Sequence, residues 1–228
     1  MEKLNVVKGE VTKKGRIIFT LVAGERKEII KVYAGLSWPN NEVPGYYCIL
    51  AEEVPPGSRT KYEGQKAPRG KIHLLTEKES SDYFLKDMFL PLADDCTFFC
   101  CDKVFAYFSE QAGEHTDDAA MFRDFMYEHG HHHIRLSEAP HGESFKRGLS
   151  DIRTLIDERL LMLPEDSLAR RQLKETTAEA MGDSPEVKLY AVNGLRFVVS
   201  AFITFSNPSS DWTPKRPYKP RLGYGLRR

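Results

Sequence analysis

The spacing of apolar residues changes once along this chain, and that change limits the folds the sequence can adopt. Three consecutive β-prone runs, 28–36, 46–51 and 71–77, are separated only by segments rich in turn-forming or basic residues. From residue 78 onward, segments with helical spacing alternate with short strand-like runs. This order predicts an α/β fold in which an antiparallel three-strand meander precedes alternating helices and strands, with helices on both faces of a mixed sheet.

The second half of the chain is expected to hold most of the helices. The apolar pattern predicts helices over 78–92, 117–128, 144–162 and 186–205, and a helical or mixed segment over 164–177. Two strands are expected between them, over 97–102 and 132–136. Chains with this order form the RNase H-like fold, in which the first strand of the meander lies beside the fourth strand. Residues at the ends of those two strands, and early in the last helix, then lie close together.

The predicted domain organisation has three parts. Residues 1–27 contain two β-prone runs around Lys13, Lys14 and Gly15, which indicate an N-terminal β-hairpin extension. Residues 28–205 form the RNase H-like domain. Residues 206–228 form a Pro-rich tail whose last fifteen residues carry six basic residues and no acidic one. A length of 228 residues suits one such domain with appendages.

Composition narrows the class of protein but not its partners. Lys plus Arg and Asp plus Glu balance at 33 each, so the overall charge favours no partner, whereas the basic tail favours contact with polyanions. The four cysteines, Cys48, Cys96, Cys100 and Cys101, form no C-x-x-C pair, which favours reduced buried thiols over a disulfide or metal role. Because no segment is long and apolar enough to span a membrane and no signal peptide is visible, we expect a cytoplasmic protein without a membrane partner.

Asp102 is the first candidate site residue, because it closes the predicted strand 97–102. A carboxylate at the exit of a buried strand is where many metal-dependent nucleases hold a divalent cation. Seven short motifs around it, in order, resemble the C-terminal RNase H-like nuclease domain of phage terminase large subunits over about residues 28–205. The motifs are 32–38, 46–51, 70–77, 98–102, 144–153, 160–163 and 192–197.

The resemblance implies a two-metal nuclease site, and this chain departs from it. Such a site needs about three converging acids, because Mg²⁺ or Mn²⁺ prefers carboxylate oxygens. The matching catalytic positions here are Ser37, Asp102 and Asn193, of which only Asp102 is an acid. Glu77 is a candidate substitute metal ligand beside Asp102, and Glu52, Glu53, Asp183 and Glu186 are further acids within reach of the predicted edge.

Two functions therefore stay open. The first is a viral DNA-packaging component with a degraded metal site, which binds double-stranded DNA or packaging partners and resides in the host cytoplasm. The second is an active Mg²⁺- or Mn²⁺-dependent endonuclease of a split terminase. In either case the chain lacks a phosphate-binding P-loop, so the ATPase of such a machine would lie on another polypeptide or have been removed. A separate packaging ATPase or the portal is the expected protein partner.

Basic residues in two segments are the candidate nucleic-acid contacts. They lie in the 59–71 loop and in the tail, where Tyr218 and Tyr224 are interleaved with the bases. The residues are Arg59, Lys61, Lys66, Arg69, Lys71, Lys215, Arg216, Lys219, Arg221, Arg227 and Arg228.

A histidine cluster at 129–133 could bind a transition metal, since the predicted strand 132–136 would put His131 and His133 on one face. No acid or cysteine completes such a shell in the sequence, so the end of a helix leading into a strand is the simpler interpretation.

Overall fold

Eight strands and five helices make up the part of the chain that the computed structural model describes, residues 4–40, 43–55, 69–80, 85–108, 113–139, 143–176 and 189–204. The strands are β1 (Val6–Val11), β2 (Ile17–Leu21), β3 (Arg26–Ser37), β4 (Tyr46–Glu53), β5 (Ile72–Glu79), β6 (Lys103–Ala106), β7 (Arg135–Glu138) and β8 (Leu161–Met162). The helices are α1 (Leu85–Phe98), α2 (Thr116–Glu128), α3 (Glu143–Asp157), α4 (Leu168–Glu175) and α5 (Tyr190–Thr204). None of these helices is long and apolar enough to cross a membrane.

The strand order confirms the predicted RNase H-like fold. Strands β3, β4 and β5 form the antiparallel meander, and β6 and then β7 add to the other side of β3 in parallel. The central order is therefore β5-β4-β3-β6-β7, with the first meander strand beside the fourth strand, as expected. The short β8 adds in parallel to β5, and the β1–β2 hairpin pairs with the first part of β3.

The sheet separates two apolar cores, and helices cover both. Successive residues of a strand point to opposite faces, so the long apolar run in β3 supplies both cores. Val32, Ala34 and Leu36 join the core beneath α1 and α2. Tyr33 instead packs beneath α5, where its ring lies 5.0 Å from that of Phe202.

Two glycines bring α5 directly onto the sheet. A Cβ atom on Gly35 of β3 would lie 2.0 Å from the carbonyl oxygen of Gly194, and one on Gly194 would lie 2.8 Å from the Tyr46 ring. No side chain fits at either position, so the backbones of β3 and α5 pack against each other. This close approach fixes the start of α5 against the end of β3.

The predicted strand over 97–102 is wrong. Helix α1 continues through Phe98, and the strand begins only at Lys103. Cys100 ends the helix in a left-handed conformation (φ 58°), while the amide of Cys101 donates to the carbonyl of Cys96 over 2.7 Å. This geometry is a Schellman-type helix end, at which the left-handed residue is usually glycine. Because a cysteine stands there instead, the apolar run from Phe98 to Cys101 gives no sequence signal that the helix ends.

Three other boundaries differ from prediction. The helix expected over 78–92 begins at Leu85 among the described residues, because β5 continues to Glu79. The strand expected over 132–136 spans Arg135–Glu138, and the helix expected over 144–162 ends at Asp157 before the short β8.

The glycine contact predicts an unequal response to alanine. We expect Gly35→Ala to lower the free energy of unfolding by about 3 kcal/mol, because its methyl group would overlap a backbone carbonyl that cannot move alone. The matched control is Gly148→Ala in α3, where the nearest atom is the rotatable Ser200 hydroxyl at 3.2 Å. Urea denaturation should find the control within about 1 kcal/mol of the wild type. Equal stabilities for both variants would contradict this packing.

Candidate functional site

The carboxyl ends of β3 and β6 meet the first turns of α5 at one edge of the sheet, which we term the carboxyl edge. The parallel register sets Leu36 beside Ala106, so Ser37 and Tyr107 follow at the same level. The Gly35–Gly194 contact brings Asn193 to this place, and Ser37, Tyr107 and Asn193 line a common pocket of about 160 Å³. The expected meeting of Ser37 and Asn193 is therefore observed.

Aromatic residues form much of this pocket. Its described lining residues are Ser37, Trp38, Asn40, Val43, Tyr107, His115, Asn193 and Phe197. The indole of Trp38 donates to the carbonyl oxygen of Tyr107 over 2.6 Å and stacks on the His115 ring, with centroids 6.3 Å apart and planes inclined by 26°. Sequence reasoning missed Trp38 and His115, because the contact joins residues nearly eighty positions apart.

His115 is held from two sides. It precedes α2 in a left-handed conformation (φ 53°), which few residues other than glycine adopt. Its Nδ1 lies 2.7 Å from a carboxylate oxygen of Asp118 in the first turn of α2. The carboxylate therefore orients the ring against Trp38.

The possible metal ligands at the carboxyl edge do not suit a pair of divalent cations. Ser37, Tyr107 and Asn193 are neutral, and the described residues that line the pocket include no carboxylate. Two acids beside the pocket have partners: Glu114 accepts the hydroxyl hydrogen bond of Tyr107, which raises the pKa of Tyr107, and Asp118 pairs with His115. Glu138, level with Ala106 at the end of β7, adds negative charge near Tyr107. Within the described residues, no three His, Cys, Asp or Glu side chains are grouped to hold a metal ion.

Asp102 lies at the other end of the strand from the one predicted. Asp102 precedes β6, and the parallel register of β6 with β3 places it level with Val32. Ser37 lies five residues further along β3. At about 3.3 Å per residue, Asp102 and Ser37 are separated by about 16 Å. The Asp102 side chain is exposed, and its backbone carbonyl accepts from the amide of Arg135 over 2.9 Å. The grouping of Asp102 with Ser37 and Asn193 is thus wrong, because the strand starts after Asp102 instead of ending at it.

Glu77 is occupied as a helix cap. Its carboxylate accepts from the Tyr46 hydroxyl (2.7 Å), from the Ser167 hydroxyl (3.3 Å) and from the amides of Leu168 (2.7 Å) and Ala169 (3.4 Å). These groups begin α4, where a negative charge is favourable. Burial and this carboxylate raise the pKa of Tyr46 well above its usual value. Glu77 thus caps α4 in the described structure, and its role as a metal ligand stays a prediction.

The described candidate nucleic-acid residues lie at the amino edge of the sheet, where β3, β5 and β6 begin. Arg69 and Lys71 precede β5, and Lys31 and Lys103, which the sequence did not single out, lie near them. The pKa of Lys31 is lowered by burial, despite Glu52, and further by Lys103 and Arg69. Outside the described residues lie Arg59, Lys61, Lys66, Lys215, Arg216, Lys219, Arg221, Arg227 and Arg228.

The histidine cluster lies in the turn before β7. The rings of His131 and His133 are 6.2 Å apart, and the strand begins only at Arg135, so they do not share a strand face as predicted. Burial and the neighbouring His131 and His132 lower the pKa of His133.

Comparisons with known proteins found distant likenesses only. No family model and no curated protein matches the chain. Among solved structures, the RuvC structure from Thermus thermophilus is 16% identical, with a TM-score of 0.38 over 76% of this chain and 94% of that one. A structure of T. thermophilus RuvC in complex with Holliday junction substrate gives 14% identity with the same TM-score and coverage. The RNase H-like fold of this chain rests on its own strand order and directions.

Stability measurements can distinguish the role of Glu77 as the cap of α4 from its predicted role as a metal ligand. We expect Glu77→Ala to lower the free energy of unfolding by about 3 kcal/mol, because a buried hydroxyl and the start of α4 lose their acceptor. Glu175→Ala, at an exposed position of the same helix, is the control and should change stability by less than about 0.5 kcal/mol. Thermal melting with and without Mn²⁺ tests the alternative. A Mn²⁺-dependent rise of the wild-type melting temperature that Glu77→Ala abolishes would restore the ligand role.

Proposed function

We propose that this chain is a non-cutting, nuclease-like module of a viral DNA-packaging machine, similar to the nuclease domain of terminase large subunits. In this proposal it binds double-stranded DNA and docks on a packaging partner, either a separate ATPase or the portal. Its RNase H-like body serves as a scaffold, and hydrolysis is not part of its role.

The neutral side chains that converge in the pocket at the carboxyl edge carry this proposal. A two-metal nuclease concentrates negative charge where β3, β6 and α5 converge, since the acids must outcompete the hydration of Mg²⁺. Here the convergent side chains are Ser37, Tyr107 and Asn193, and Asp102 lies about 16 Å from Ser37 along the strand direction. Neutral oxygens add no charge to hold two cations, so this donor set favours binding without cutting.

The amino edge supports a DNA contact there. Arg69 and Lys71 lie at this edge, and Lys103 is placed over the Tyr33 ring, with its Nζ 5.8 Å from the centroid. Part of this charge is balanced by Asp102, by Glu52 beside Lys31, and by Glu53, which pairs with Lys27 over 2.5 Å. Cations that nearby acids neutralise only in part can still bind DNA phosphates, and such contacts weaken as the salt concentration rises.

The described residues that flank the two segments with the other candidate cations lie toward the amino edge. The described chain stops at Pro55 after β4 and resumes at Arg69 before β5. Near the end of α5, Phe202 packs on Tyr33, which pairs with Leu50 of β4. The loop and tail cations are therefore proposed to extend the same DNA-binding surface.

DNA binding and cleavage assays test this function together. Fluorescence anisotropy with a labelled duplex should show binding whose affinity falls steeply with salt. Arg69→Ala/Lys71→Ala should weaken binding about tenfold at low salt, because two phosphate contacts are lost. Lys174→Ala, an exposed lysine in the last turn of α4, is the control and should stay within about twofold.

Plasmid incubated with Mg²⁺ or Mn²⁺ should stay intact. Metal-dependent cutting that Asp102→Ala abolishes would contradict the proposal and favour the active endonuclease. Failure to retain DNA at any salt concentration would remove the DNA-binding part and leave docking on a packaging partner.

A further inference from the structure

The pocket at the carboxyl edge has the size and lining of a site for a single aromatic ring. Its volume is about 160 Å³, and a cavity of about 150 Å³ is known to admit benzene. Pockets for drug-sized ligands are larger, about 300–1,000 Å³. Among natural ligands of DNA-processing proteins, a one-ring pyrimidine base fits this volume better than a two-ring purine.

The walls of the pocket suit a flat ring. Trp38 and Phe197 line the pocket although they are only 6% and 3% exposed, so both rings are anchored in the protein. His115 is fixed by its stack on Trp38 and by Asp118. Aromatic side chains held in this way offer stacking surfaces to unpaired bases with little loss of conformational entropy.

The polar groups of the pocket suit the edge of a pyrimidine. The Asn193 carboxamide is 3% exposed and carries both hydrogen-bond donors and an acceptor, and Ser37 adds a hydroxyl. Enzymes that bind unpaired bases combine such contacts to the base-pairing edge with aromatic stacking. Asn193 thus occupies a place where a base edge could be read.

The charges around the pocket disfavour an anionic occupant. Its described lining residues include no lysine or arginine, and Glu114 and Asp118 bond to two of them, Tyr107 and His115. A phosphate inside the pocket would meet negative charge without a basic partner. The ligand is therefore a neutral ring, with the phosphates of its strand remaining outside.

We infer that this pocket binds an unpaired pyrimidine base of a DNA strand, stacked against Trp38 and His115 and hydrogen-bonded by Asn193 and Ser37. The inference rests on the proposed DNA-binding function and adds a base-specific site at the edge where related folds cut. In such a module the pocket would hold a frayed or single-stranded end of the packaged DNA.

Tryptophan fluorescence reports directly on the pocket. The chain has two tryptophans, so Trp212→Phe leaves Trp38 as the single tryptophan, which can be excited selectively at a wavelength that tyrosine does not absorb. An oligothymidylate should quench Trp38 and bind at least about tenfold more tightly than an abasic oligomer of equal length, with an oligodeoxyadenylate closer to the abasic strand. Free thymidine, which has no phosphate, should quench in a saturable way at higher concentration.

Matched substitutions locate the effect. Ser37→Leu fills the pocket and should abolish both the preference for thymidylate and the quenching by thymidine. Ser150→Leu, at an exposed position of α3, should leave both unchanged. Circular dichroism of both variants checks that the fold is intact. Ser37→Ala, which keeps the pocket open but removes one hydrogen bond, should weaken the quenching by thymidine without abolishing it.

The outcomes separate this inference from the proposed function. Equal binding of thymidylate, adenylate and abasic strands would overturn the pyrimidine site and leave DNA binding intact. Quenching by thymidine that Ser37→Leu removes, without binding of any oligomer or duplex, would support the pocket and overturn DNA binding. No quenching by thymidine or thymidylate would overturn the pocket regardless of duplex binding.

Discussion

The contact between Gly35 and Gly194 is the constraint on which the rest of the site depends. It lets the backbone of α5 rest on β3, with a hypothetical Cβ of Gly35 only 2.0 Å from the Gly194 carbonyl. The Tyr46 ring covers Gly194 from the neighbouring strand, and its hydroxyl donates to Glu77. Glu77 in turn caps α4, so one close approach links β3, β4, β5 and two helices.

The same contact decides what the carboxyl edge can do. The contact holds Asn193 next to Ser37 in one pocket. RNase H-like nucleases place their metal-binding acids at this position, whereas the two residues here are neutral. The aromatic pair of Trp38 and His115 then makes this edge a pocket. Positive charge is found instead at the amino edge, around Arg69, Lys71 and Lys103. The proposed role as a binding module follows from this separation of neutral pocket and basic edge.

The sequence predicted the parts of the fold whose signals are local. The meander was predictable because apolar runs and turns mark its strands, and the meeting of Ser37 and Asn193 followed from the strand and helix order. A strand beside β3 was also expected, but the apolar run over 97–102 put it too early in the chain. Asp102 was misplaced because Cys100 occupies the left-handed position at the end of α1. Glycine usually occupies this position and so marks the helix end in a sequence. Without that signal, four apolar residues resemble a strand.

The missed features depend on contacts between distant segments. Glu77 looked like a free strand-end acid because the helix that it caps begins ninety residues later. The stack of His115 on Trp38 has no sequence signature, since it requires the turn before α2 to reach the end of β3. Such contacts are set by the packing of the whole sheet and not by local propensity.

Mn²⁺ binding tests the central claim most directly, because the claim is that the convergent residues of the carboxyl edge carry no charge to hold a metal. Calorimetric titration of the wild-type chain should detect no saturable site tighter than about 1 mM, with Ser37→Ala and Asn193→Ala giving the same trace. Stoichiometric Mn²⁺ binding in the wild type that either substitution abolishes would contradict the account. It would indicate that this edge holds a metal site of the kind found in metal-dependent nucleases.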